Sequence, residues 1–344
     1  MSQSVYIKRE EMLAKTAKVL RLVGTPEDLA QSVADSLVKA QECGHTSHGI
    51  MRLTEYVEFV KNGQVIPWAQ PKLSSERGAV LTIDGHWGWG QIACKLAVEL
   101  VVERALNLGI ASAAINSCNH IGRLGEYVEM ISNRSLVALM FCNSGANVAA
   151  FGGKTRLFGT NPFAAAIPSE EGDIVIDFAT AGTAEGKLRV ANLNGDKVPS
   201  GLLLTKDGKP TIDPSAFYDG GALLPFGGHK GYCLSLLIDL LGGSLSGIHP
   251  AMTTSYNHGN GTVLIAMNPD FFVGRENFAQ DILEAKKVIK KSPPVDMNSP
   301  ILLPGELEEK SRHANQEFIE IPSKNWELII DLEKGLSLSK TCKN

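Results

Sequence analysis

Long apolar runs and runs of basic residues are both missing from this chain of 344 residues. No uninterrupted apolar segment reaches the roughly 18 residues that a membrane-spanning helix needs, so we expect no membrane anchor. The formal net charge of −4 offers no basic field to a polyphosphate backbone, so we expect no nucleic-acid partner. The N-terminal segment MSQSVYIKREEMLAK is charged where a signal peptide would be apolar, which predicts a cytoplasmic protein.

Paired spacings for metals or disulfides are also absent. The sequence has neither a CxxC nor an HExxH pattern, which argues against a zinc site and against a disulfide framework. We therefore predict no bound metal. Scattered cysteines are typical of small core residues in a reducing compartment. They are Cys43, Cys94, Cys118, Cys142, Cys233 and Cys342.

Two catalytic fingerprints are missing as well. A Rossmann dinucleotide site shows GxGxxG directly after a strand, and the nearest string here, from Gly85 to Gly90, has the wrong spacing. A hydrolase nucleophile elbow needs a glycine two residues before its serine, which Ser47 lacks. The sequence thus excludes an ordinary Rossmann site and disfavours a serine hydrolase.

Apolar periodicity predicts three helices in the first 62 residues and an α/β sheet from residue 80 to about 270. The third helix is predicted to begin near Ser47. The helix predicted over 230–242 is so apolar that we expect it to be buried on most sides, and 194–221 is predicted to be a structured loop region. The predicted strands are 80–83, 110–115, 136–141, 163–167, 174–176 and 262–267, and further helices are predicted over 91–108 and 125–133.

His48 and Arg52 lie four residues apart in the third predicted helix, so they are expected to share one face. A guanidinium can clamp a carboxylate through two parallel hydrogen bonds, and an imidazole can exchange a proton with a substrate oxygen. This pair suits 2-hydroxy acid chemistry. The alternative is an exposed polar face on which Ser47 is an N-cap.

Other polar residues are predicted to lie at strand ends, where α/β proteins place ligand-contacting loops. Asn119 and His120 follow one strand, and His120 is either a second acid/base group or a loop histidine bonded to backbone. Ser144 and Thr160 lie in segments that either donate hydrogen bonds or only make turns. Asp177 could bond ribose hydroxyls or cap a helix.

The segment from Gly227 to Tyr232 opens the most apolar predicted helix. Free backbone N–H groups, the positive helix end and Lys230 would together bind a phosphate, and His229 lies beside them. A tight turn into a core helix is the alternative.

Five motifs in this order resemble the malate/L-lactate dehydrogenase family of the non-Rossmann type, whose relatives include ureidoglycolate, sulfolactate, diketogulonate and cyclic imino acid reductases. The resemblance runs over nearly the whole chain. It implies a mixed sheet wrapped by helices, and a homodimer in which both subunits contribute to a site. The motifs are Ser47-His48-Gly49 with Arg52 and Tyr56, Gly122-Arg123-Leu124-Gly125-Glu126-Tyr127, Thr160-Asn161-Pro162, Gly227 to Tyr232, and Pro304-Gly305-Glu306.

The resemblance also implies roles for individual residues. His48 would be the proton donor or acceptor, a role that some relatives give to His120, and Arg52 would hold the substrate carboxylate. The substrate-binding residues would be Ser47, Arg52, Asn119 and Thr160. Those binding NAD or NADP would be Ser144, Asp177, Ala179, Thr180, His229, Lys230, Gly305 and Glu306.

The expected fold is α/β, with a mixed sheet and without Rossmann topology. Residues 76–274 are predicted to be an NAD(P)-binding domain, and the helical region 1–75 is predicted to pack with the helical and extended tail 275–344. The expected activity is hydride transfer between NAD(P) and a small 2-hydroxy acid. Two alternatives stay open: reduction of a cyclic 2-imino acid, and noncatalytic binding of carboxylates.

Overall fold

The computed structural model describes residues 4–341. The α-helices are α1 Arg9–Leu22, α2 Glu27–Glu42, α3 Arg52–Lys61, α4 Gly90–Leu108, α5 Leu124–Ser132, α6 Glu185–Asn194, α7 Ser215–Tyr218, α8 His229–Ser246, α9 Arg275–Lys291, α10 Glu306–Ala314 and α11 Ser323–Thr341. The strands are β1 Ser4–Lys8, β2 Lys72–Arg77, β3 Val80–Asp84, β4 Ile110–Asn116, β5 Val137–Cys142, β6 Val148–Ala149, β7 Arg156–Phe158, β8 Phe163–Ile167, β9 Ile174–Phe178, β10 Leu203–Leu204, β11 Pro210–Thr211, β12 Ala222–Leu223, β13 Thr262–Met267 and β14 Phe318–Pro322.

A seven-stranded sheet in the order β2-β3-β4-β13-β5-β8-β9 forms the centre of the fold. Its strands pair antiparallel except for the parallel pair β3–β4. Helices α4, α5 and α8 pack against it, and alternate side chains of β4 and β5 are buried in the largest apolar cluster. The predicted mixed sheet wrapped by helices is confirmed.

The two end segments of the described chain pack together. Strand β1 pairs antiparallel with β14, and α11 contacts both α1 and α3. One apolar cluster combines Leu20 and Val33 from the N-terminal helices with Ile319 and Ile329 from the C-terminal segment. Burying these stripes against each other holds α3, and with it the turn before α3, beside the central sheet.

A second sheet takes two of its strands, β10 and β11, from the segment that was predicted to be a loop region. Its five short strands run in the order β11-β10-β12-β6-β7. The prediction that 194–221 is a loop region is therefore only partly correct, because β10, β11 and α7 lie within it. Two-residue strands are too short to show an alternating pattern, so the sequence gives no signal for them.

Helix α8 is not buried as its sequence predicts. Leu237, Leu240 and Leu245 are 52%, 44% and 60% exposed, whereas the sheet side of the helix carries small and polar residues. The reason is close packing: a Cβ on Gly242 would lie 2.7 Å from the carbonyl oxygen of Gly261, so only a glycine fits there. The helix therefore turns its leucines outward.

The cysteines follow the prediction of core residues with one exception. Cys43, Cys94, Cys118 and Cys142 are buried free thiols, but Cys233 is exposed because it lies on the outer face of α8. Cys342 lies outside the described residues. Within residues 4–341, no group of three or more His, Cys, Asp or Glu side chains could hold a metal ion, and no helix has the length and apolarity to cross a membrane.

Candidate active site

A cleft of about 400 Å³ opens where the N-terminal helices meet the ends of the sheet strands. We call it the central cleft. Its polar side chains come from the turn before α3 and the first turn of α3, the loop after β4, the segments that follow β5 and precede β8, the first turns of α6, and Asn260 before β13. The lining residues include Ser47, His48, Arg52, Glu55, His120, Ser144, Thr160, Glu185, Gly186 and Arg189.

His48 and Arg52 do not share one continuous helix, which corrects the prediction. His48 ends a 3-10 turn, Thr46–His48, and α3 begins only at Arg52. Gly49 breaks the helix with extended backbone, and a Cβ there would lie 2.3 Å from Oε1 of Gln41. Both side chains nevertheless line the same cleft.

The guanidinium of Arg52 is held in place from two sides. Its Nε donates to the backbone oxygen of Ser47 at 2.7 Å, and its Nη1 pairs with the carboxylate of Glu55 one helical turn later. Among residues 4–341, no hydrogen bond engages Nη2. Arg52 therefore keeps a free edge of N–H donors on which a planar carboxylate can bind.

His48 is a neutral imidazole. Burial lowers its pKa to about 3, with smaller electrostatic contributions from Arg52, His45 and Arg123. Its Nδ1 lies 3.1 Å from Oγ of Ser47, and its ring stacks on that of His120 with centroids 5.5 Å apart. Since a hydroxyl can either donate or accept, this contact leaves both ring tautomers of His48 accessible.

His120 has a fixed tautomer. The backbone N–H of Gly122 donates to its Nδ1 at 3.3 Å, so Nδ1 is an acceptor and the neutral ring carries its proton on Nε2. Tyr56 lies 2.8 Å from the same Nδ1 and therefore donates its hydroxyl proton to it, while Gln91 donates to the Tyr56 oxygen at 2.6 Å. Burial, followed by electrostatic interaction with Arg52 and His48, holds the pKa of His120 well below its usual range.

A buried polar layer lies beneath the cleft, and sequence reasoning missed it. The side-chain amide of Asn143 donates to Asp239 at 3.0 Å, and its oxygen accepts from the backbone of Gly261 at 2.9 Å. Asn161 accepts from the N–H of Ser144 and donates to the backbone of Ser235 on α8. Burial raises the pKa of Asp239 to about 6. The only signal in the sequence is a single carboxylate within an apolar helix.

The proposed substrate residues lie in different surroundings. Ser47 and Thr160 line the central cleft together with His48, His120 and Arg52. Asn119 is 2% exposed and does not line the cleft, and its Nδ2 donates to three backbone carbonyls, those of Gln64, Trp87 and Gly88. Its side chain thus joins three chain segments behind His120.

The proposed cofactor residues are divided among several cavities. Ser144 lines the central cleft. Asp177 and Gly305 line a cavity of about 390 Å³ at the end of β9, which we call the strand-end cavity. Gly305 and Glu306 line a neighbouring cavity, where Glu306 accepts from the backbone of Leu303. Thr180 is buried and donates to the backbone of Thr160 and Asn161, and Ala179 lines none of these cavities.

The strand-end cavity joins apolar walls to two charged groups. Asp177 accepts from the backbone of Gly125 at 2.7 Å, and burial raises the pKa of its carboxyl. Arg123 is 5% exposed and pairs with Glu129, but its Nη1 has no hydrogen-bond partner among the described residues. Apolar wall residues are Phe178, Leu302, Leu303 and Leu307.

His229 and Lys230 are not brought to the central cleft. Both are exposed in the first turn of α8, and the ring of His229 lies 6.0 Å from that of Phe151. The two glycines before them, at φ 56° and 63°, line a separate cavity of about 520 Å³. Only glycine readily adopts two such successive conformations, which explains the Gly227-Gly228 pair.

Comparison with known proteins gives one consistent result. The malate/L-lactate dehydrogenase family matches residues 7–329. The chain is 36% identical to an L-sulfolactate dehydrogenase of Methanocaldococcus jannaschii over 326 residues, covering 93% of this chain and 94% of that protein. A solved structure of a sulfolactate dehydrogenase from that organism superposes with a TM-score of 0.87 at 34% identity, covering 97% of this chain and 98% of the other.

Two further relatives differ in the substrates that they are named for. Hydroxycarboxylate dehydrogenase B of Escherichia coli K12 is 35% identical over 331 residues, covering 93% of this chain and 91% of that protein. A Δ1-pyrroline-2-carboxylate/Δ1-piperideine-2-carboxylate reductase of Pseudomonas putida is 34% identical over 327 residues, covering 92% and 93% of the two chains.

Proposed function

Because the chain belongs to the malate/L-lactate dehydrogenase family, we propose that it interconverts a small 2-hydroxy acid and its 2-oxo acid with NAD or NADP. A single observation carries this proposal. One cleft brings a guanidinium with free N–H donors next to two neutral imidazoles, as hydride transfer at the carbon beside a carboxylate requires.

Arg52 is the proposed carboxylate ligand. Its Nε and one Nη1 proton are already engaged by Ser47 and Glu55, so the remaining protons of Nη1 and Nη2 face the substrate as a fork. Ser47 and Thr160 are proposed to contact the substrate from the walls of the cleft. Asn119 is proposed to act on the substrate only by holding the loop that carries His120.

The two histidines are proposed to have different tasks. His120 already bears a proton on Nε2 and accepts at Nδ1, so it donates a hydrogen bond to the substrate oxygen at C2. His48 has no fixed tautomer, so it takes the hydroxyl proton during oxidation and returns it during reduction. The substrate carboxylate neutralises the charge of Arg52 that lowers the pKa of His48, so binding makes His48 a better base.

The strand-end cavity fits the adenosine half of a nicotinamide cofactor. Its apolar walls suit an adenine ring, and the Asp177 carboxylate suits a ribose diol. A Cβ on Gly305 would lie 3.0 Å from that of Val175, so this close turn needs glycine. When bound, the cofactor accepts or supplies the hydride. Ser144, Ala179, Thr180, His229, Lys230 and Glu306 complete the proposed cofactor set.

A homodimer is proposed on the basis of α8. Its exposed face carries an apolar stripe at helical spacing, formed by Cys233, Leu237, Leu240, Leu241 and Leu245. Soluble monomers rarely expose so much contiguous apolar surface, and a second copy of the same face would cover it. The free thiols of the described cysteines are consistent with the proposed cytoplasmic location.

Reduction of a cyclic 2-imino acid is the second candidate, because the Pseudomonas putida relative is named for it. Such a substrate also presents a carboxylate to Arg52 and needs one proton. A panel of pyruvate, oxaloacetate and Δ1-piperideine-2-carboxylate, followed by NADH and NADPH absorbance, separates the two activities. Faster turnover of the imino acid than of both oxo acids would replace the first proposal with the second.

Removal of both imidazoles tests whether the cleft is catalytic. The variant His48→Ala/His120→Ala is expected to lose turnover, and a matched histidine outside the cleft, changed in His313→Ala, is expected to keep it. The His313 side chain is 66% exposed. Unchanged turnover in the double variant would contradict the catalytic proposal and favour a protein that only binds carboxylates.

A further inference from the structure

A second guanidinium lines the central cleft, and the proposed reaction does not use it. It belongs to Arg189 on α6. We propose that Arg189 binds a second acidic group on the substrate, a carboxylate or a sulfonate, and so selects dianionic 2-hydroxy acids over monoanionic ones. This inference rests on the proposed function, because it assigns the substrate class of the same cleft.

The position of Arg189 follows from how α6 packs. A Cβ on Gly186 would lie 3.0 Å from Cβ of Ser47, so the first turn of α6 lies directly against the turn that carries His48. Leu188 is fully buried in the apolar cluster of the second sheet and anchors the helix there. Arg189 is three residues after Gly186 and therefore lies on the same helix face, at the cleft.

The acidic side chains of the cleft have partners other than Arg189. Glu55 pairs with Arg52, and Glu185 accepts a hydrogen bond from the hydroxyl of Tyr218 at 2.9 Å. Arg189 has no ion pair and no side-chain hydrogen bond to any of residues 4–341. The side chain of Arg189 is exposed and lines the cleft, so its N–H donors remain available to a ligand bound there.

Two guanidinium groups in one cleft fit a substrate with two anionic ends. Arg52 would take the carboxylate next to C2, and Arg189 the distal acid. Without Arg189, a distal acid would meet only the negative charges of Glu55 and Glu185, which would disfavour it. A monoanionic substrate such as lactate has no group for Arg189 to bind. The competing explanation is a solvated arginine at the rim of the cleft, which would have no effect on substrate choice.

The test compares dianionic and monoanionic substrates in three variants. Wild type, Arg189→Met, Arg189→Lys and the control Lys187→Met are assayed with oxaloacetate, 3-sulfopyruvate and pyruvate. Lys187 is an exposed cation on the same helix that does not line the cleft. In Arg189→Met, we expect the kcat/KM ratio of each dianion over pyruvate to fall about 10-fold or more, as for the loss of a charge-assisted hydrogen bond. Arg189→Lys should lose less, and Lys187→Met should match wild type.

A binding measurement separates this inference from the proposed function. The same proteins are titrated calorimetrically with malate, sulfolactate and lactate. In Arg189→Met, binding of the dianions malate and sulfolactate is expected to weaken, and binding of lactate is expected to stay unchanged. Selective binding without turnover of any oxo acid would refute the proposed function and support the role of Arg189. If the ratio of kcat/KM and the ratio of affinity for dianions over monoanions both stay unchanged in Arg189→Met, that role is overturned. A fall in kcat/KM that is limited to oxaloacetate or to 3-sulfopyruvate would identify the distal acid as a carboxylate or a sulfonate.

Discussion

Tyr56→Phe tests whether the tautomer of His120 matters to catalysis. The change removes one oxygen from a site where Tyr56 is 1% exposed, and it leaves the ring in place. Two hydrogen bonds disappear, the one to Nδ1 of His120 and the one from Nε2 of Gln91. Nδ1 keeps only the N–H of Gly122, at 3.3 Å. The proton of His120 is then no longer held firmly on Nε2.

The expected loss has two separable parts. Gln91 is fully buried, so its unpaired donor should lower the free energy of unfolding by about 1–3 kcal/mol. We expect kcat to fall by about 10-fold to 100-fold. This loss is smaller than the roughly 10⁴-fold loss that follows when a protease histidine is left in the wrong tautomer. The reason is that the N–H of Gly122 still donates to Nδ1 of His120. KM should change little, since Arg52 is untouched.

The assay measures kcat, KM and chemical denaturation for each variant. Tyr127→Phe is the matched control: Tyr127 is also fully buried, but its hydroxyl donates to the backbone of Ile121 and not to an imidazole. Adding Gln91→Leu to Tyr56→Phe removes the unpaired donor and should restore part of the stability while kcat stays low. Recovery of kcat together with stability would refute the reasoning, because Tyr56 would then act only in packing.

Three further outcomes are expected. Arg52→Lys should raise KM about 10-fold or more with a smaller effect on kcat, because one ammonium cannot replace the bidentate fork, and equal KM values would argue against carboxylate binding there. The pKa of Asp239 is raised from 3.8 to about 6 in the folded state, so its contribution to stability is present at low pH and is lost as pH rises. In denaturation curves, the free energy of unfolding of wild type should therefore fall relative to that of Asp239→Asn, by up to about 3 kcal/mol between about pH 4 and pH 6. Leu237→Glu/Leu245→Glu on the exposed face of α8 should produce monomers in sedimentation experiments, and a persistent dimer would exclude this face as the interface.

The sequence predicted the central sheet because its strands are long enough to carry a pattern. Strands β4, β5, β8 and β13 lie where short apolar runs were predicted, between helices with clear apolar faces. The exposed face of α8 could not be predicted in the same way. Hydropathy alone predicts that the leucines of α8 are buried. Only the close approach of Gly242 to Gly261 shows that the opposite face of the helix meets the sheet.

The residues of the candidate site also differ in whether the sequence could predict them. His48 and Arg52 were predicted from residue type and helical spacing, and His120 from its position after a predicted strand. The roles of Gln91 and Asp239 and the contact of Tyr56 with His120 could not be predicted, because each depends on a partner that is distant in the sequence: Gln91 and His120 bond to Tyr56, and Asp239 bonds to Asn143. Arg189 lies in a segment without motif signals, and only the packing of α6 on Ser47 brings it to the cleft.

The charge distribution of the cleft couples the proposed substrate binding to the proposed proton transfer. Burial is the main reason why the pKa of His48 is lowered to about 3, and the positive charge of Arg52 lowers it further. In the proposed reaction, a substrate carboxylate on Arg52 would offset that positive charge and so raise the pKa of His48 relative to the free protein. By linkage, a proton on His48 must strengthen binding of the anionic substrate to the same degree. In the proposed reaction, substrate binding would therefore favour proton transfer to His48.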